Sequence, residues 1–139
     1  SMAEAGADTV FILNNNIKNV FTSGIALSNQ APTSAGSLVA TLTGNSVTNP
    51  EVGSLSPIAF FLGPGGAATT GKNCLTIGGA GALANTISYG SILLNVRTTT
   101  PVGLPGLVGP VDVYLAARNN GAPTATVLFG AASFSGTCP

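Results

Sequence analysis

Short apolar or alternating runs recur along the chain, each closed by a cluster of Gly, Pro or Asn, and this punctuation restricts it to strands joined by tight turns. Residues 9–13 form an apolar run stopped by Asn14-Asn15-Asn16, and a second short apolar stretch covers 17–21. Residues 37–43 alternate, with Leu38, Ala40 and Leu42 on one face and Val39, Thr41 and Thr43 on the other. Residues 57–62 are apolar and end at Gly63-Pro64-Gly65-Gly66, and the long run 87–98 sets Ile92, Leu94 and Val96 against Leu93, Asn95 and Arg97. Near the end, Val111, Val113, Leu115 and Ala117 alternate with Asp112, Tyr114, Ala116 and Arg118. Asn119-Asn120-Gly121 then suggests a hairpin returning through 124–129. The Ala-rich piece 79–84 is broken by Gly and lacks a cap, so no helix longer than two turns is expected. No repeat of fixed period is visible, which argues against a solenoid. The fold class predicted is all-β, a β-sandwich of immunoglobulin-like or jelly-roll/Greek-key type.

Only 6% of residues are charged, four basic and four acidic, while 45% are hydrophobic. Such a chain has too little charge for a disordered segment and too few cations to hold a nucleic-acid backbone. Thr, Ser and Asn must supply the polar surface, and they favour strands and turns over helices. With zero net charge little repulsion separates neighbouring copies, so self-association is easy. The run 73–96 carries no charge, but its Asn and Gly residues argue against a membrane span.

The absence of His removes the commonest general base and the commonest transition-metal ligand. The acids are Glu4, Asp8, Glu51 and Asp112, and only folding could pair Glu51 with Asp112 as in a glycosidase. A solvated position for each is the simpler expectation, and no clustered oxygen ligands suggest a calcium loop. No enzyme, cofactor or metal site is therefore expected. Cys74 and Cys138 lack the CxxC spacing of a zinc or redox site and read as one structural disulfide, worth about 4 kcal/mol by loop closure. A disulfide implies an oxidising compartment, hence export to the extracellular space or cell surface. No signal peptide is visible, so the sequence reads as a mature form.

Two glycine motifs invite a nucleotide reading. Gly66 to Asn73 matches the phosphate-loop pattern except at its last position, where Asn73 lacks the metal-binding hydroxyl, and residues 74–77 look like a strand where a helix is required. Gly79-Ala80-Gly81-Ala82-Leu83-Ala84 followed by Arg97 resembles a dinucleotide fingerprint, but the segment between them is poor helix material. Both are expected to be loops.

Val111-Asp112-Val113-Tyr114, with Leu128-Phe129-Gly130-Ala131-Ala132-Ser133 opposite, resembles a strand pair in secreted bacterial domains with immunoglobulin-like sandwiches. In layout the chain is also similar to subunits of extracellular fibres, pilus-like or thread-like, that are joined by donor-strand exchange. That resemblance implies residues 1–16 as an N-terminal arm with donor strand and hinge, and 17–139 as the sandwich body. Val10, Phe11, Ile12 and Leu13 are apolar in succession, so both faces of their strand need cover, either in a neighbouring subunit or within their own. The expected function is a secreted structural protein assembling with itself into a filament or surface coat. The alternative is an adhesive or carbohydrate-binding module, its surface glycan unknown, using Tyr89, Tyr114 or the Asn-rich loops.

Overall fold

The computed structural model describes residues 7–20, 22–30, 36–48, 56–63, 71–96, 100–121, 124–128 and 133–139. Its strands stack in a coil rather than a sandwich. The first coil comprises β1 (Ala7–Leu13), β2 (Asn16–Lys18) and β3 (Ile25–Asn29), and the second β4 (Ser37–Thr43), β5 (Ser46–Thr48) and β6 (Ile58–Leu62). The third comprises β7 (Asn73–Ile77), β8 (Asn85–Ile87) and β9 (Ser91–Val96). The fourth contains β10 (Pro101–Gly103), the helix α1 (Val111–Arg118), β11 (Asn119–Asn120) and β12 (Thr124–Leu128), and β13 (Ser133–Ser135) begins a fifth.

Each coil gives one strand to each of three sheets, ordered β1-β4-β7-β10-β13, β2-β5-β8-β11 and β3-β6-β9-β12. Every pairing between them is parallel. This overturns the predicted antiparallel sandwich: the architecture is a three-sided parallel β-solenoid. A parallel strand needs a long return path, and here the other two sides of the coil provide it. The strand expected to be available for exchange, β1, lies on β4 of its own chain along its whole length.

Alternation in the sequence becomes a stack of inward side chains. Ile12 sits on Leu42 and Leu42 on Ile77, Ile25 on Ile58 and Ile58 on Ile92, Leu27 on Phe60 and Phe60 on Leu94. Like shapes therefore pack on like, and Leu42, Ile77, Ile58, Phe60, Ile92 and Leu94 are fully buried. The absence of a fixed period has a structural cause, because insertions at the corners vary the coil length. Stacked residues are separated by 29 positions between Asn73 and Val102 but by 40 between Ser46 and Thr86.

The expected hairpin is absent, since Val111–Arg118 is helical and slightly exceeds two turns. Its sequence satisfies two periods at once. Val111, Tyr114, Leu115 and Arg118 follow helical spacing, and they are the helix residues withdrawn from solvent. Pro110 stands at the N-cap, with Asp112 in the first turn and Arg118 in the last, charges that suit the helix dipole. Residues 111–114, expected as a strand, are thus part of this helix, and residues 129–132 of the segment expected opposite them lie outside the described residues.

Candidate functional site

Two regions stand out beside the core: a polar ladder along one corner and the open end of the first coil. The chain leaves the first sheet through a left-handed residue in three successive coils, Asn14 (φ 56°), Gly44 (φ 67°) and Gly78 (φ 72°). Asn tolerates this backbone and Gly adopts it freely. Asn15 and Asn45 follow directly, Asn85 comes after the insertion 79–84 and Asn119 after α1, and the four are stacked one per coil. The backbone N–H and Nδ2 of Asn15 donate to Asn45 Oδ1, both at 3.0 Å, and those of Asn45 donate to Asn85 Oδ1, again at 3.0 Å. Asn85 Nδ2 donates to Asn119 Oδ1 at 2.8 Å. The same amides also satisfy the carbonyls of Ile12, Leu42 and Leu115. A corner turning inside a stack of coils would otherwise leave these backbone groups dry and unpaired. Asn14-Asn15-Asn16, read from sequence as the stop of the first apolar run, thus contains the first rung of this ladder.

At the open end, β1, β2 and β3 are the outermost strands of their sheets. They surround a hollow of about 450 Å³ lined by Phe11, Ile12, Asn15, Ile17, Gly24, Ile25 and Ala26. Of the four residues singled out from sequence, Val10 and Ile12 pack against the core, whereas Phe11 and Leu13 remain 67% and 46% exposed. In the second coil Leu42, Val47 and Ile58, which sit beneath Ile12, Ile17 and Ile25, are sealed completely.

Cys74 and Cys138 form the predicted disulfide, with 5.1 Å between their Cα atoms. Its presence is in keeping with an oxidising environment. No helix among the described residues is long and apolar enough to cross a membrane.

The other sequence candidates are dispersed. Asp112 is exposed in the first turn of α1, away from the strand position expected for it, while Glu4, Glu51, Arg97 and Gly66 lie outside the described residues. Lys72 is exposed beside β7, and Asn73 is buried, accepting from Asn29 Nδ2 at 2.9 Å. Residues 74–77 are strand, as their sequence suggests, so nothing there resembles the helix of a phosphate loop. Gly81–Leu83 forms a single 3-10 turn in a corner insertion. Tyr89 is half-buried, and Tyr114 is buried with its hydroxyl donating to the Pro105 carbonyl at 2.8 Å.

Burial raises the Tyr114 phenol above its ordinary value, and the nearby Arg118 guanidinium, 5.1 Å from the ring centre, only partly opposes this. A raised pKa in the folded state means that the fold favours the neutral phenol. Its contribution is complete below the unfolded tyrosine value, about pH 10, and is lost as pH rises through the folded one. Urea unfolding at stepped alkaline pH should therefore show a loss of stability that Tyr114→Phe lessens; an identical profile in the variant contradicts this.

Comparison with protein-family models, with curated proteins and with solved structures finds no match.

Proposed function

We propose that the protein is a secreted, non-enzymatic structural subunit that associates with itself into an extracellular filament or surface coat. The observation carrying this reading is the open first coil. Its hollow is the kind of surface that coil-on-coil packing covers between the first, second and third coils, and among the described residues its three strands each pair on one side only. Unpaired parallel edges are templates for further strands, and each large apolar side chain covered there adds up to about 1.5–3 kcal/mol. The ladder has an unused acceptor at the same end, because Asn15 Oδ1 accepts no hydrogen bond among the described residues whereas Asn45 Oδ1 accepts two. Zero net charge opposes association weakly. Asp8 and Lys18, both exposed on edge strands, would restrict pairing to partners that match them. The adhesive alternative draws less support, since the Tyr114 ring and hydroxyl are both engaged within the fold.

Sedimentation velocity of the oxidised full chain over rising concentration, with electron microscopy of the same samples, tests the proposal. Growing species and ordered assemblies are expected. A single monomeric species at every concentration would overturn it.

A further inference from the structure

The C-terminal tail is fastened across the outside of the first sheet rather than along its edge. In register, Cys74 on β7, Gly103 on β10 and Ser135 on β13 form one outward-facing column. After Ser135 the chain doubles back along this column, so that Cys138 reaches Cys74 and β10 lies beneath the tail. Gly103 permits the close approach: a Cβ there would lie 2.7 Å from both Cys138 Cα and the Thr137 carbonyl oxygen.

Little else holds the tail. Among the described residues, β13 has three residues and pairs only with β10, Phe134 is the one residue of the segment packed against the core, and Ser133, Ser135, Thr137, Cys138 and Pro139 are exposed. Among the described residues, two further backbone bonds tie the segment to the loop after β10, from Leu104 N–H to the Ser135 carbonyl at 2.8 Å and from Gly106 N–H to the Gly136 carbonyl at 2.9 Å. Short segments with few buried contacts open most readily.

We propose that the Cys74–Cys138 disulfide is a redox-sensitive clasp, which keeps β13 and the tail on the last coil and, when reduced, releases them and frees the edge of β10. A dithiol reductant supplies two electrons, the S–S bond becomes two thiols, and the dithiol closes to its own disulfide. Cys138 is exposed and Cys74 only half-buried, so the bond is open to attack. The freed β10 edge would offer a parallel strand site that β13 occupies in the oxidised chain. This concerns the C-terminal coil and is independent of the self-association proposed through the first coil.

Hydrogen exchange read by NMR on the folded full chain, oxidised and then reduced with dithiothreitol, tests the clasp. The Leu104 and Gly106 amides report it directly because their acceptors lie in the released segment. They should exchange roughly tenfold faster or more after reduction, while the amides of Ser46 and Thr86, bonded within the earlier coils, keep their protection. Reoxidation should restore the original rates. The Cys74→Ser/Cys138→Ser double variant should behave as the reduced protein does. Unchanged rates at Leu104 and Gly106 would overturn the clasp, and so would simultaneous loss of protection in all coils, which would make the bond a global staple. Measurement in a monomeric sample keeps this outcome separate from that of the assembly experiment.

Discussion

Replacing Asn85 by Ala is expected to lower the unfolding free energy by about 3–5 kcal/mol, whereas Asn15→Ala should cost about 1 kcal/mol or less. Asn85 is fully buried in the middle of the ladder. Its Oδ1 accepts two bonds from Asn45, and its Nδ2 donates to the Leu42 carbonyl and to Asn119. Truncation leaves the Asn45 N–H and Asn119 Oδ1 short of a partner in a dry interior, and stranded groups cost more than the bond itself gains. Asn15 stands exposed at the ladder's end, where water replaces what is lost. Urea denaturation of both variants decides the matter, and equal costs would refute the account of the ladder as a buried polar spine.

Phe60→Ala should be comparably damaging, at about 3–5 kcal/mol, because a buried aromatic is exchanged for a cavity. Phe60 is fully buried on β6, stacked between Leu27 and Leu94 in adjoining coils. In a solenoid each coil contacts only its neighbours, so a void in the second coil weakens the packing on both sides. Phe11→Ala, by contrast, removes a side chain that already faces solvent on β1, and should change stability by less than about 0.5 kcal/mol. Parallel denaturation of the two variants provides the check. A large loss in Phe11→Ala would mean that the isolated chain buries this ring.

The two variants test opposite ends of what alternation can reveal. Leu38, Ala40 and Leu42 were legible as one inward face, as were Ile92, Leu94 and Val96, and all six are buried. The disulfide was legible too, because two cysteines without metal spacing leave few other roles. The ladder left a trace that could have been found: Asn15 and Asn45 each follow a left-handed Asn or Gly at the end of an apolar run. In the third coil, residues 79–84 intervene between Gly78 and Asn85, and in the fourth the helix precedes Asn119. These insertions hide the spacing.

By itself the sequence determined several of the short strands, the turn at 14–16, the inward faces of residues 37–43 and 92–96, and a weakly charged composition, since these follow from local backbone preference and side-chain hydrophobicity. Only the tertiary structure decided that the strands run parallel in a coil. A run such as Ile58–Leu62 carries the same apolar signal whether its partner runs with it or against it, and the partner lies about thirty or more residues away across insertions of unequal length. It also decided that Val111–Arg118 is a helix, because that segment suits both periods. Burying Tyr114 and Leu115 against the stack, with Val111 and Arg118 half-buried beside them, selects the helical one.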